Sequence, residues 1–364
     1  MLTRFSVQGY RNFKKKVFWD LQDIRDYRFN TDALLNERDA AGIKCALIYG
    51  RNAVGKTNFG NAIFDIRANL GLSNPVADEH NYLNADADSI ANFEYEFYFS
   101  NAKILYSYSK FARNKLATEK LTLNDEVVFS YNYLSSNMEE SNLSVIGAAT
   151  LNWEFTSQNV SILSYVCNNT PLDSLGPVGQ MYRFVTNMGL ISDLRTLDRD
   201  FVSGILDYVI QHNKVKDLEK FLNHFGIKEK LGVYSTISGE RVLCFVHETP
   251  IPFARNCSSG TVSLLRLYNY FIKRPEPSLL FVDEFDAFYH HDLAEKVIGY
   301  FKSKKHQIVC ASHNTDLFSN KIMRPDCLFI LSSEGLTSAA NATKRELREG
   351  HNLEKLYKAG EFDV

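Results

Sequence analysis

The segment 50–57 has the residue types and the spacing of a phosphate-binding loop. It reads Gly-Arg-Asn-Ala-Val-Gly-Lys-Thr, a complete G-x-x-x-x-G-K-[ST] pattern. Its glycines let backbone N–H groups close around phosphate oxygens, and a helix beginning there adds a favourable dipole. Lys56 would reach the β- and γ-phosphates, and the Thr57 hydroxyl would ligate Mg²⁺. The predicted nucleotide contacts of this segment are Gly50, Asn52, Ala53, Val54, Gly55, Lys56, Thr57 and Asn58.

Two carboxylates follow a short apolar run further along the chain. The run is Leu279 to Val282, and Asp283 and Glu284 come directly after it. A carboxylate at the end of a buried strand can hold Mg²⁺, directly or through water, so we assign that role to Asp283. Glu284 is then the group that orients and deprotonates an attacking water. Taken alone, the same pattern also describes an ordinary strand followed by an acidic turn.

A second apolar run, Gln307 to Ala311, ends in Ser312 and His313. Parallel strands place their carboxyl ends on one edge of a sheet, where ligands bind. We therefore expect His313 to lie near Glu284 and the γ-phosphate. The alternative is a histidine that only caps a helix.

The turn Ser258-Ser259-Gly260-Thr261 precedes a helical stretch, Val262 to Ile272. Either serine can cap this helix, and the N–H groups of its first turn can bind phosphate. On its own the turn is most simply a helix N-cap. Its place, one short helix before the acidic strand, is what makes it a candidate for nucleotide binding.

These residues need a parallel sheet to bring them together. The apolar strand Cys45 to Tyr49 runs into the phosphate loop and a helix, Asn58 to Leu70, follows it, so the order of elements is that of an α/β nucleotide-binding core. Period-two spacing of aromatic and β-branched residues from Ala91 to Asn132 predicts about four antiparallel strands. Helical spacing dominates from Leu151 to Lys230. We divide the chain into a lobe with the phosphate loop and the antiparallel strands (1–150), a helical insertion (151–230) and a second lobe with the other three motifs (231–364).

The composition narrows the setting of the protein. The 364 residues include 41 basic and 43 acidic side chains, so charge does not indicate nucleic acid or an anionic membrane as a partner. The six cysteines have no C-x-x-C spacing, which argues against a zinc site or a disulfide framework. No apolar run approaches the length of a membrane span, and we expect no signal peptide because Met1 to Phe5 lacks a long apolar core. A reducing cytoplasm is the expected location.

The four motifs come in the order found in ABC-type ATPase heads, and Arg11-Asn12-Phe13 resembles the R-N-F opening of RecF-like and SMC-like heads. Within that superfamily the chain most resembles AAA-type, OLD-like ATPases of phage-defence cassettes, such as the AbiL-type and RloA-type ATPases, the AriA subunit of PARIS and PtuA of Septu. The stretches that carry this narrower resemblance are Asp283 to Asp286, His290 to Leu293, Ser312 to Leu317, Arg324-Pro325-Asp326 and Asn352 to Gly360.

The resemblance implies a fold and a mechanism. The fold would be an ABC-ATPase head, a P-loop NTPase with an antiparallel β subdomain and a helical insertion. Two protomers would pair through their heads, head to tail, so that Ser259 and Gly260 of one close on ATP and Mg²⁺ held by the other. Arg11 and Asn12 would lie on the nucleotide side or only anchor the first strand. Turnover by Lys56, Glu284 and His313 would be slow.

The same resemblance implies partners. About fifty residues follow His313, too few for the Toprim nuclease of OLD proteins, so we expect a separate chain to supply any effector activity, for instance a nuclease, in response to a phage-encoded trigger. Two other hypotheses stay open. One is a RecF-like or SMC-like ATPase of DNA repair or maintenance. The other is a scaffold whose bound nucleotide is structural.

Overall fold

Two large sheets organise the chain, which the computed structural model describes at residues 1–37, 40–72, 81–86, 90–149, 151, 157–192, 199–273 and 276–362. The strands are β1 (Leu2–Gln8), β2 (Val17–Asp20), β3 (Leu34–Glu37), β4 (Ala40–Ile43), β5 (Cys45–Tyr49), β6 (Ala91–Phe99), β7 (Ala102–Ala112), β8 (Lys115–Leu123), β9 (Glu126–Asn132), β10 (Asn137–Ser141), β11 (Gly189–Ile191), β12 (Leu231–Ser235), β13 (Arg241–Phe245), β14 (Ile251–Pro252), β15 (Leu279–Val282), β16 (Gln307–Ser312), β17 (Leu328–Leu331) and β18 (Leu336–Ser338). The helices are α1 (Lys56–Asn69), α2 (Ile162–Asn169), α3 (Pro177–Thr186), α4 (Arg199–Gln211), α5 (Val215–His224), α6 (Phe253–Asn256), α7 (Ser259–Lys273), α8 (His291–Lys302) and α9 (Leu353–Lys358).

The two sheets differ in direction. A seven-stranded sheet has the order β10-β9-β8-β7-β6-β1-β2, and every neighbouring pair in it is antiparallel. A six-stranded sheet has the order β11-β15-β16-β5-β17-β18, parallel except for β18. The α/β fold class is therefore confirmed, with the antiparallel subdomain that the sequence predicts.

The antiparallel sheet has one buried and one more exposed face. Phe93, Tyr95 and Phe97 of β6 are buried, whereas Asn92, which points to the other face, is exposed. This is the period-two pattern of a half-buried strand, and it confirms the four predicted strands, β6 to β9. The sheet also contains β1, which pairs with β6. Phe5 lies opposite Tyr95, and local sequence patterns do not predict a pairing between strands so far apart in the chain.

Helix α1, which follows the phosphate loop, lies between the two sheets. On one side the Phe59 ring packs against Phe5 and Trp19 of the antiparallel sheet, with ring centroids 5.6 and 5.7 Å apart. On the other side a Cβ at Gly60 would lie 2.6 Å from the ring of Phe281 on β15. Glycine at this position is what lets α1 approach β15 so closely, and this contact places the helix start beside the end of β15.

The segment from 151 to 230 is predicted to be a helical insertion, but it also contains a strand. It contributes β11, whose Gly189, Leu190 and Ile191 pair with β15 in parallel and extend the central sheet. A three-residue strand is too short for periodicity to reveal. Strands β3 and β4, which pair antiparallel, are likewise too short for periodicity to reveal. Residues 152–156 and 193–198 of the helical prediction lie outside the described residues.

A buried carboxylate joins the antiparallel sheet to the first helix of the insertion. Glu119 on β8 is 1% exposed. Because it lies at the start of α2, its charge also interacts favourably with the helix dipole. Its donors are Tyr106 Oη (2.8 Å), Tyr133 Oη, Ser161 Oγ (2.7 Å), Ile162 N (2.8 Å) and Leu163 N (3.1 Å).

We expect Glu119→Gln to lower the free energy of unfolding by about 2–4 kcal/mol. Each carboxylate oxygen accepts from a backbone N–H, Ile162 or Leu163, so the new amide NH₂ must face one N–H that can only donate, and both N–H groups lose a charged acceptor. Urea denaturation followed by circular dichroism measures this change. The control is Glu126→Gln on the exposed start of β9, which should change stability by less than about 0.5 kcal/mol. Equal stabilities for the two variants would show that the buried carboxylate of Glu119 does not stabilise the contact between the antiparallel sheet and α2.

Candidate nucleotide-binding site

The phosphate loop connects β5 to α1, as the sequence predicts. Gly50 follows β5 directly, and α1 begins at Lys56. The loop needs left-handed backbone at Ala53 (φ 63°) and at Gly55 (φ 109°). The Lys56 side chain is buried in the loop, and Nζ donates hydrogen bonds to the carbonyl oxygens of Gly50 (2.7 Å) and Arg51 (3.1 Å). An ammonium held at this place is positioned to meet phosphate oxygens that enter the loop.

The N-terminal Arg11-Asn12 pair lies directly on the phosphate loop. Asn12 Nδ2 donates to the carbonyl of Val54 at 2.9 Å, and a Cβ at Gly55 would lie 2.2 Å from the same nitrogen. Asn58 Nδ2 donates to Asn12 Oδ1 (2.7 Å), and Arg11 Nη1 donates to Asn58 Oδ1 (2.9 Å). The pair therefore supports the shape of the loop, and Gly55 must be glycine to admit Asn12. Contact of Arg11 or Asn12 with nucleotide stays a prediction.

The order of the parallel strands brings the other motifs to the same edge. β16 lies between β5 and β15, with Ser312 opposite Tyr49 and Cys310 opposite Val282. The residues that follow these strands therefore emerge side by side. The structure brings Gly50, Asp283 and His313 to one edge of the sheet, as the sequence predicts.

Asp283 and Thr57 form the link between the acidic strand and the loop. The Thr57 hydroxyl donates to Asp283 Oδ2 at 2.5 Å. Asp283 is 3% exposed, and its Oδ1 is buried without a hydrogen-bond partner among the described residues. Burial raises the pKa of Asp283 above its ordinary value, while the hydrogen bond from Thr57 opposes this shift. A cation beside the carboxylate would favour its charged form and satisfy the free oxygen.

These two side chains fit Mg²⁺ in the manner typical of nucleotide sites. Magnesium is commonly held by one or two protein oxygens together with phosphate oxygens and water, rather than by a cage of protein ligands. No cluster of three or more His, Cys, Asp or Glu side chains suited to a metal occurs among the described residues. Thr57 and Asp283 supply the pair of oxygens that such a site requires.

Glu284 has an unusual backbone conformation. Its φ is 45°, in the left-handed region that residues with a side chain rarely adopt, and its side chain is half-exposed at the end of β15. Strained backbone of this kind is often found at functional positions, where the surrounding structure holds it in place. The backbone hydrogen bond from Phe285 N to the carbonyl of Ala311 on β16 (3.3 Å) ties this turn to the neighbouring strand.

Sequence reasoning gave no separate role to Asp286, which the structure places beside the His313 loop. Asp286 is 8% exposed, and one of its oxygens is buried without a partner among the described residues. Burial raises its pKa, whereas Ser312 and His313 lower it. His313 itself is exposed. A second aspartate two residues after Glu284 is the only signal the sequence holds for this contact.

The Ser-Ser-Gly-Thr turn begins helix α7. Ser258 Oγ accepts a hydrogen bond from Thr261 N at 3.2 Å. Of the two serines that could cap the helix, Ser258 is therefore the N-cap. Ser259 and Gly260 are partly exposed. The atoms nearest to a Cβ at Gly260 belong to Ser258, Phe288 and Leu293. The turn therefore lies against the segment that follows Glu284.

The phosphate loop after β5, the hydrogen bond from Thr57 to Asp283 and the glutamate after the acidic strand define the class of fold: an α/β fold of the P-loop NTPase type. Within the chain, residues 194–319 match the family model described as "AAA domain, putative AbiEii toxin, Type IV TA system". This stretch is about a third of the chain. It contains Ser259, Glu284 and His313 and leaves out the phosphate loop. No curated protein matches the chain.

Solved structures similar to the chain include heads of SMC proteins. The SMC head domain from Thermotoga maritima has a TM-score of 0.44 and 12% identity, covering 93% of this chain and 98% of that one. An SMC head bound to the C-winged helix domain of ScpA has a TM-score of 0.46 and 12% identity, covering 92% and 96%. An SMC head with an extended coiled coil, bound to the C-terminal domain of ScpA from Pyrococcus furiosus, has a TM-score of 0.44 and 12% identity, covering 99% and 98%.

Across the described residues, no helix is both long enough and apolar enough to span a membrane.

Proposed function

We propose that the chain binds and hydrolyses ATP. The observation that carries this proposal is the hydrogen bond between Thr57, at the start of α1, and Asp283, at the end of β15, because it joins the phosphate-binding and acidic motifs in one site. Bound Mg²⁺ would neutralise charge on the β- and γ-phosphates there. Lys56 holds the phosphates, Glu284 accepts a proton from the attacking water, and His313 contacts the γ-phosphate.

The proposed site is completed by a second protomer. Ser259 and Gly260 open helix α7 at the surface, where backbone N–H groups at a helix start suit an anionic group. In a head-to-tail pair they would contact the γ-phosphate bound by the partner. ATP binding would then favour the paired state, and hydrolysis would release it, so nucleotide occupancy can itself be a signal.

The proposed biological role is that of an ATPase subunit in an anti-phage, abortive-infection system, controlling an effector encoded by another gene. The description of the matched family, which names an AbiEii-type toxin, supports this role. So does the resemblance of the Asp283 to Asp286 and Ser312 to Leu317 stretches to ATPases of defence cassettes. The effector and the phage trigger are the partners that this role requires.

Phage plating tests the role. We expect cells that express this chain with its neighbouring reading frame to resist some phages, and Lys56→Ala to remove the resistance, because the variant loses the ammonium that holds phosphate. Lys220→Ala, an exposed change on α5, is the matched control and should keep it. Resistance that survives Lys56→Ala would contradict the role. Sensitivity to DNA damage without any effect on phage would favour the DNA-maintenance hypothesis.

A further inference from the structure

A groove of about 550 Å³ lies at the edge of the six-stranded sheet opposite the phosphate loop. The phosphate loop follows the carboxyl end of β5. The groove includes Ala340, whose N–H donates to the carbonyl of Pro325 (3.2 Å), just before the amino end of the parallel neighbour β17. The groove is therefore separate from the nucleotide site.

Basic side chains line both walls of the groove, which are formed by residues 25–29 and by Ala340 with residues 343–349. Neither Arg28 nor Lys344 has an ion-pair partner among the described residues. Arg348 pairs with Glu346 at 3.1 Å, but both side chains are more than 70% exposed, so an incoming anion can replace this weak pair. The exposed basic residues are Arg25, Arg28, Lys344, Arg345 and Arg348, against acidic Asp26, Glu346 and Glu349.

Two aromatic side chains share the first wall of the groove with these cations. Tyr27 and Phe29 are half-buried in the groove, with ring centroids 5.4 Å apart. The guanidinium of Arg324 lies 5.6 Å from the centroid of the Tyr27 ring. Aromatic faces among exposed cations are the combination that binds nucleobases by stacking and phosphates by charge.

A buried ion pair holds the first wall in place. Arg324 and Asp326 are 1% and 0% exposed and lie 2.6 Å apart. Asp326 Oδ2 accepts from the backbone N–H of Arg25 (2.8 Å), and Arg324 Nη2 donates to the Arg25 carbonyl (2.5 Å). Arg25 Nη2 also donates to Asn341 Oδ1 (2.5 Å), which follows Ala340 of the second wall. The Arg-Pro-Asp motif, to which the ATP site gives no role, therefore shapes this groove.

We propose that the groove binds a nucleobase-bearing phosphate, either as a free nucleotide or as part of a single-stranded nucleic acid. Arg28 and Lys344 contact phosphates from opposite walls, and Tyr27 or Phe29 stacks on a base. The volume suits a ligand of this size. The proposal does not rest on ATP hydrolysis, since the groove and the phosphate loop share no residue.

Fluorescence anisotropy of the full chain with a labelled short oligothymidylate tests the proposal, with unlabelled dinucleotides and mononucleotides as competitors. We expect the Arg28→Ala/Lys344→Ala variant to bind at least about tenfold more weakly and to show a shallower dependence of affinity on salt, by about 0.7 in logarithmic slope for each lost phosphate contact. Both side chains are exposed, so the variant should unfold at the same temperature as the parent. The matched control is Lys220→Ala/Lys228→Ala, which removes two charges elsewhere.

Phe29→Ala is a second variant, expected to weaken binding at least about fivefold through loss of stacking while keeping the salt slope. If free dinucleotides compete as strongly as the oligomer, the ligand is a small nucleotide. If they compete much more weakly, the ligand is a single strand. Both outcomes support the proposal that the groove binds nucleotides. Unchanged binding in Arg28→Ala/Lys344→Ala would overturn the proposal. Equal binding of polyglutamate would also overturn it, in favour of an acidic protein partner.

Discussion

Replacing Glu284 with glutamine should reduce ATP turnover by about 10²–10⁴-fold while leaving ATP binding nearly unchanged. Glutamine has the same shape but cannot accept the proton of the attacking water. The residue's left-handed backbone (φ 45°) is equally unfavourable for both side chains, so the substitution adds no strain there. Phosphate release measures turnover, and titration with a fluorescent ATP analogue measures binding.

The control for this variant is Glu295→Gln on helix α8. Glu295 is exposed and lies on the helix that follows the acidic strand, so its replacement removes the same charge at a residue with no proposed role in the site. We expect its turnover to equal that of the parent. If Glu284→Gln hydrolyses ATP at the parental rate, another group activates the water and the assignment of Glu284 is wrong.

Local sequence was sufficient to predict the elements that carry the site. β5 and β15 have the predicted bounds, Cys45–Tyr49 and Leu279–Val282. Both strands are buried on both faces, so an uninterrupted apolar run identifies them. The phosphate loop and the start of α1 could be predicted because Gly50, Gly55 and Lys56 lie within one short segment of the chain.

Contacts between distant segments could not be predicted in this way. Asn12 bonds to the carbonyl of Val54, and only the folded chain shows that it is Gly55 that makes room for it. The same holds for the groove, whose two walls are about 300 residues apart in sequence. Asp286 was visible as an acidic residue, but its burial beside Ser312 depends on the neighbouring strand.

The proposed pairing of heads makes a prediction that no single variant can test. Lys56→Ala removes ATP binding from its own protomer, and Ser259→Arg blocks the turn that would contact the partner's ATP. Each variant alone should have almost no turnover. Ser259 is half-exposed at the start of α7, where arginine disturbs no buried contact and the helix dipole opposes it by about 0.3–1 kcal/mol.

Mixing the two variants should restore about a quarter of the parental turnover, because about half of randomly formed dimers are mixed and each has one intact site. That site combines the phosphate loop of one protomer with the turn of the other. A mixture of Lys56→Ala with Glu284→Gln is the control. Both of these changes affect the half-site formed by the phosphate loop and the acidic strand, so no mixed dimer contains an intact site and turnover should stay low. Recovery in neither mixture would mean that Ser259 does not act on a partner's nucleotide. Recovery in both would mean that a protomer supplies its partner's site with other groups besides the Ser259 turn.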